Sequence, residues 1–299
     1  MRLLGTVNCP ASSTTETTHN LPDGLKLQVL YQRSSKSTDR PPLLFIHGSG
    51  HGAWCWQEHF MPYFAERGWD TYALSLRAQA GSEQVEGLKY AGTLSSHADD
   101  IASFIATLPC APILVGHSFG GLIAQQYYVS AGTQGLPSLA GLALLAPAPP
   151  SGNKELVNRL LRKNFMLGVR LTWGFITKSY LRNDAACREM FFSGDLPEAD
   201  VARYRQLLAD NASPTLIMDL SKMNEMVPIA APQANSPPVF VLGGDSDIVV
   251  DVPAVDETAG VYNAEQVVLA NMAHDVMLDT RWPEAAAALN SWLEKTFSK

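Results

Sequence analysis

A chain of 299 residues with 46% apolar and 17% charged side chains can bury a large core and is too hydrophobic for general disorder. Its 29 acidic against 22 basic residues give a formal charge of −7, and no Lys/Arg cluster could track a phosphate backbone, so nucleic-acid binding is disfavoured. Cys9, Cys55, Cys110 and Cys187 lack metal-ligand spacing and read as reduced thiols, three of them in the core; neither a metal site, a disulfide framework nor a cofactor is expected.

No apolar run approaches the roughly 18 residues needed to cross a bilayer, and none of secretory length follows Arg2. Residues 1–24 read as a flexible tail. Its hydroxyl-rich part, from Ser12 to Thr18, is either the remnant of an organelle transit peptide or a leader without function.

Leu25, Leu27, Val29 and Tyr31 alternate with polar neighbours, the period of a half-buried strand. Pro41-Pro42 introduces Leu43-Leu44-Phe45-Ile46, an apolar run suited to a central parallel strand, which stops at His47-Gly48-Ser49-Gly50. Trp54 to Arg67 reads as one helix closed by Gly68, and Asp70 to Leu74 as another strand. Ile101, Phe104, Ile105 and Leu108 mark a helix begun by Ser96 and Asp99 in a capping-box arrangement and stopped by Pro109. Strand character at Ile113-Leu114-Val115 passes through a glycine-flanked turn straight into a helix, and Ala140 to Leu145 is a further buried strand. This alternation calls for an α/β fold, a mostly parallel doubly wound sheet covered by helices on both faces.

Between residues 151 and 236 the rhythm changes. Only helical segments are expected there, one of them opened by Ser213-Pro214 before Leu216, Ile217 and Leu220. The stretch reads as an inserted helical cap, or lid, on a core formed by residues 25–150 and 237–299. Strands return at Val239 to Leu242 and Gln266 to Leu269, and a last helix from Trp282-Pro283 turns Ala286, Leu289 and Leu293 inward.

Gly116-His117-Ser118-Phe119-Gly120 fits G-x-S-x-G, a strained strand-to-helix turn that lifts a serine above the carboxyl edge of a sheet. A serine hydroxyl is a weak nucleophile and needs a base, itself oriented by a third group. In this topology the acid and then the histidine follow later strands, which selects Asp247 and His274 as partners of Ser118. Asp245 shares the loop with Asp247 but is disfavoured, because Gly243-Gly244 make the turn and the later residue has room to reach. His19, His51, His59 and His97 lack such placement; His47 and His117 read as loop-orienting residues, Asp275 and Asp279 as surface or capping residues. The backbone N–H groups of Ser49 and Phe119 are the expected oxyanion donors. Gly50, His51 and Trp54 beside the first loop, with Phe165, Trp173 and Phe191 in the cap, are expected to line a pocket for a hydrophobic ester.

Elbow, H-G-S-G loop, late Asp247 and His274, and inserted cap together resemble the α/β-hydrolase family from about Leu25 onward. Ser118 excludes the haloalkane dehalogenase branch, whose nucleophile is a carboxylate. Closer similarity lies in His47-Gly48-Ser49 with His51 and Ala53-Trp54-Cys55-Trp56, in the elbow through Ile123, in Pro150-Ser151-Gly152-Asn153, in Cys187 to Ser193 and in Ala273 to Asp279. These stretches resemble the chlorophyll dephytylases of plants and green algae. The resemblance implies hydrolysis of the phytyl ester of chlorophyll to chlorophyllide and phytol, in the chloroplast, peripheral to the thylakoid membrane, with the cap as the place of membrane contact. It implies no cofactor of the protein's own, any magnesium belonging to the substrate. Two other readings stay open: a small-ester hydrolase of the plant methylesterase kind, suggested by His51 and Ala53-Trp54, and a slow-turnover ligand receptor on the same fold. A pocket closed to a few hundred cubic ångströms would favour small ligands, and a long open apolar groove the pigment.

Overall fold

The computed structural model describes residues 13–36 and 39–297. In chain order the elements are β1 (Thr15–Asn20), β2 (Lys26–Gln32), β3 (Leu43–Ile46), α1 (Trp54–Gln57), α2 (Phe60–Glu66), β4 (Thr71–Leu74), β5 (Tyr90–Gly92), α3 (Leu94–Ile105), β6 (Ile113–His117), α4 (Ser118–Gln134) and β7 (Gly141–Leu145). Then come α5 (Asn153–Lys163), α6 (Phe165–Thr177), α7 (Asp184–Phe191), α8 (Glu198–Asp210), β8 (Leu216–Met218), α9 (Met223–Met226), β9 (Val239–Gly244), α10 (Val252–Tyr262), β10 (Glu265–Leu269) and α11 (Trp282–Phe297).

Eight strands form one sheet in the order β1-β2-β4-β3-β6-β7-β9-β10. β2 pairs antiparallel with both β1 and β4, and the other ladders are parallel. Strands β3, β6, β7 and β9 are buried along their whole length, as a sheet covered on both faces requires. Each face carries its own apolar layer: Phe45 packs with Trp56, Phe60 and Phe64 on one side, and Leu44 and Ile46 with Leu122, Ile123 and Tyr127 on the other. The parallel strands bring the carboxyl ends of β3, β6, β9 and β10 to one edge, where the loops bearing Ser49, Ser118, Asp247 and His274 emerge. Among the described residues no helix is long and apolar enough to cross a membrane.

Several local expectations are corrected. The segment read as the end of a flexible tail contains β1, an exposed edge strand in register with β2, Thr15 opposite Tyr31; its threonines are β-branched, and β2 offers an edge that periodicity alone does not reveal. Residues 1–12 lie outside the described residues. The single helix expected over Trp54 to Arg67 is two, because Pro62 in the middle of a continuous helix would lose a hydrogen bond and clash with the preceding turn; restarting at Phe60 puts it in a first turn. Helix α3 is capped three residues earlier than expected, by Thr93, with Ser96 as the reciprocal partner of the box. Leu216–Met218, expected to be helical, is a strand pairing parallel with β5, its entry held by Leu216 N–H on the Lys89 carbonyl. Of the four thiols, three of them expected in the core, Cys55 and Cys187 are buried, Cys110 is exposed, and Cys9 is outside the described residues.

Candidate active site

The turn after β6 has a physical cause. His117 is still extended, Ser118 has φ of +52°, and helix α4 begins at once. A left-handed conformation at a non-glycine residue is strained, and the surroundings hold it by close packing. A Cβ on Gly120 would stand 2.3 Å from the His47 carbonyl oxygen, and one on Gly116 would meet the Gly120 carbonyl at 2.7 Å. Only glycines let strand, turn and neighbouring loop approach this closely.

The Ser118 hydroxyl donates to His274 Nε2 at 2.9 Å, and His274 Nδ1 donates to Asp247 Oδ2 at 2.7 Å. The other carboxylate oxygen of Asp247 accepts the N–H groups of Val249 and Val250, at 2.7 and 2.9 Å. Burial alone would pull the His274 imidazole below its ordinary pKa, but the charge and hydrogen bond of Asp247, with the charge of Asp275, outweigh it and raise the group. Asp245 is elsewhere: its carboxylate is exposed and accepts Asn271 N–H at 2.7 Å, tying the two loops together. Of the two aspartates, Asp247 is the one that faces the His274 imidazole.

Phe119 lies in the first turn of α4, where backbone N–H groups have no partner within the helix. Gly48–Ser49 run past the serine, so close that a Cβ on Gly48 would sit 2.8 Å from the Ser118 Cβ. Ser49, Ser118, Phe119 and His274 line one cavity of about 600 Å³. His47 orients this loop as expected: its Nδ1 lies 2.8 Å from the Gly48 carbonyl and its Nε2 accepts Leu76 N–H at 2.9 Å, while burial pushes its pKa down to about 3. His117, also lowered to about 3 by burial, donates to the His274 carbonyl at 3.0 Å.

Asp275 and Asp279 are not at the surface; both are fully buried. Asp275 Oδ2 accepts from His51 Nε2 at 2.9 Å, and His51 Nδ1 faces the Ser49 carbonyl at 3.1 Å. Burial by itself would raise the Asp275 pKa, but the facing His51, His117 and His274 lower it. Asp279 accepts Ser193 N–H at 2.7 Å and Asp275 donates its N–H to the Phe191 carbonyl at 2.9 Å, so both pin the cap to the His274 loop. The apolar run Val276-Met277-Leu278 between them was the available signal, since a loop with that content must be packed inside. His117, His274 and Asp275 could each present one metal-ligand atom within 4.8 Å of the others, but both His274 nitrogens and His117 Nε2 are engaged in hydrogen bonds. The cluster therefore fits a hydrogen-bond network better than a metal.

Of the expected pocket residues, Gly50, His51 and Phe191 line the cavity. Trp54 does not; it packs behind, its ring 5.7 Å from that of His51. Phe165 and Trp173 are 65% and 64% exposed, because α6 turns Gly168, Leu171 and Gly174 inward and these two outward. The cap instead contributes Leu156, Leu171, Phe175, Ile176, Tyr180 and Lys178, which helical spacing alone could not assign to a face over the sheet. Lys178 donates to the Ser213 carbonyl at 2.7 Å and its pKa is lowered by burial; no aspartate or glutamate is among the described residues that line the cavity.

A profile of the Alpha/beta hydrolase family matches residues 43–289. Norfluorocurarine synthase 1 of Strychnos nux-vomica is 34% identical over 90 residues, 28% of this chain and 33% of that protein. Methylesterase 2 of Arabidopsis thaliana is 31% identical over 90 residues, 29% of this chain and 34% of that one. The chain thus spans about a third of the length of these curated relatives. Among solved structures, a bromoperoxidase from Bacillus anthracis superposes with a TM-score of 0.69 at 19% identity, covering 94% of this chain and all of that one. A membrane phospholipase A described as a bacterial virulence factor gives 0.68 at 22%, covering 95% and 87%. At such identities the two structures speak for the fold alone. Sheet order, the turn after β6 and the profile over most of the length agree: the chain belongs to the Alpha/beta hydrolase family.

Proposed function

We propose that this chain is a carboxylic-ester hydrolase with Ser118 as nucleophile, His274 as general base and acid, and Asp247 as the group that orients and charges the imidazole. The observation that carries the reading is the continuous Ser118–His274–Asp247 hydrogen-bond chain opening into a mainly apolar cavity. Ser118 Oγ bonds to the ester carbonyl carbon as its proton passes to His274; the N–H groups of Ser49 and Phe119 receive the carbonyl oxygen's charge. Collapse of the tetrahedral species expels the alcohol, which takes the proton from His274. Water, deprotonated by the same imidazole, then attacks the acyl-serine carbonyl, and the acid is freed as His274 returns the proton to the departing Ser118 Oγ.

For the substrate, an ester of moderate size, as in the methylesterases to which part of the chain is similar, has the better support. A cavity of about 600 Å³ lies in the range that holds drug-sized ligands. Lys178, with no carboxylate among the described residues that line the wall, suits a substrate that brings its own carbonyl or carboxylate. The phytyl ester of chlorophyll at a thylakoid surface is the second reading. A macrocycle with a phytyl chain is larger than the ligands that fill such cavities, but exposed Phe175 and Ile176 at its rim would give a long chain an apolar path outward.

Purified protein and Ser118→Ala are incubated with a short p-nitrophenyl ester, methyl esters of aromatic acids, and chlorophyll in detergent. Turnover that vanishes in the variant is the expected result, and release of chlorophyllide would select the second reading. Stoichiometric binding of an ester without multiple turnover would refute the hydrolase and leave a receptor.

A further inference from the structure

Helix α6 presents an apolar face left largely exposed by the described residues. Phe165, Met166, Val169, Trp173 and Ile176 are 65%, 74%, 48%, 64% and 71% exposed. Their spacing puts all five on one face, on the order of 100° wide, of a helix whose opposite face packs into the cap. Contiguous exposed apolar surface of this kind marks a partner or a lipid phase.

The charge around it narrows the choice. Residues 151–182 carry seven Lys or Arg and one acidic residue, Glu155, in a chain whose net charge is −7; Arg159 and Arg170 are ion-paired with Asp251 and Glu189, which leaves the excess on the other five. Spread over a cap helix pair rather than gathered in a run, this excess escapes a search for basic clusters. Arg162 and Lys163 stand exposed just before α6, and Arg182 is exposed just after it. A second copy docked on the same face by two-fold symmetry would bring two such basic segments together, which is repulsive. An anionic bilayer is complementary to both features: the rim of Arg and Lys meets headgroups while Trp173 and its neighbours enter the acyl boundary.

The face is also continuous with the cavity, because Phe175 and Ile176 of α6 and the 59% exposed Leu220 line its wall. We infer that α6 is an interfacial anchor that seats the cap on an anionic lipid surface and opens the cavity toward it. Docking stands independently of the chemistry; that the cavity draws an apolar ester from the lipid rests on Ser118 acting as proposed above.

The full chain is floated with vesicles of phosphatidylcholine alone or mixed with phosphatidylglycerol, beside Met166→Ser/Trp173→Ser and Arg162→Glu/Lys163→Glu. None of these residues lines the cavity, so turnover of a soluble short ester reports that each variant is folded. The wild type is expected to float with the mixed vesicles, less so as salt rises. Each double variant should lower the partition coefficient about tenfold or more with short-ester turnover kept. No flotation, or flotation indifferent to both variants, overturns the inference. So does a wild-type dimer in sedimentation that Met166→Ser/Trp173→Ser splits, since a second copy would then occupy the face. Normal flotation with no Ser118-dependent turnover would reject the hydrolase alone and leave the anchor standing.

Discussion

Replacing Asp247 by asparagine tests the site through a specific feature of its geometry. One carboxylate oxygen is held by the Val249 and Val250 N–H groups, so an asparagine keeps its carbonyl oxygen there and turns its NH₂ toward His274 Nδ1. Donor then faces donor across the 2.7 Å gap now bridged by a hydrogen bond, and the imidazole must move its proton to Nε2. With Nε2–H pointing at Ser118, the base is lost while the packing is unchanged. Loss of the correct tautomer costs a triad about 10³–10⁴ in kcat, or roughly 4–5.5 kcal/mol of barrier. The pH profile adds a second signature. With Ser118 and His274 acting as proposed, wild-type kcat/KM is expected to fall as pH drops through the raised His274 pKa, because only neutral imidazole accepts the proton. Without the Asp247 charge burial dominates, and the acid limb of the residual activity moves to lower pH. The assay is p-nitrophenyl ester hydrolysis across pH, with thermal unfolding as a check on the fold. Near-normal activity in Asp247→Asn, or an equal loss in Asp245→Asn, would refute the reasoning.

Asp275→Ala removes the acceptor of the buried His51 hydrogen bond and one charge that raises His274. Thermal denaturation should report about 1.5–3 kcal/mol less stability, and the acid limb of kcat/KM should shift downward; an unchanged profile would sever the link between Asp275 and the imidazole. Gly120→Ala would drive a Cβ into the His47 and Ile46 carbonyl oxygens, at 2.3 and 2.7 Å, which backbone cannot yield cheaply. It should cost about 1–3 kcal/mol or more and slow turnover; circular-dichroism melting that matches the wild type would contradict the close packing derived for the elbow.

Much of the architecture was legible in local residue order because its causes are local. A short all-apolar run such as Leu43–Ile46, introduced by Pro41-Pro42, suits a strand covered on both sides, and Gly116–Gly120 between a strand and a helix suits a turn in which two chain segments nearly touch. Chain order also named Ser118, Asp247 and His274, since parallel strands send successive loops to one edge. What the order of residues could not convey is which side chains meet across that edge. Asp275 looks like one more loop carboxylate until the fold brings His51, 224 positions away, against it. Strands β1 and β8 exist because a neighbour's edge supplies their hydrogen bonds, information absent from their own composition. The aromatic cap is the sharpest case. Phe165, Trp173 and Phe191 are all large aromatic side chains of cap helices, yet the packing of α6 turns the first two to solvent and α7 sends the third into the cavity. Hydrophobicity is a property of the residue, whereas facing is a property of how helices seat on one another, and only the tertiary structure decides that.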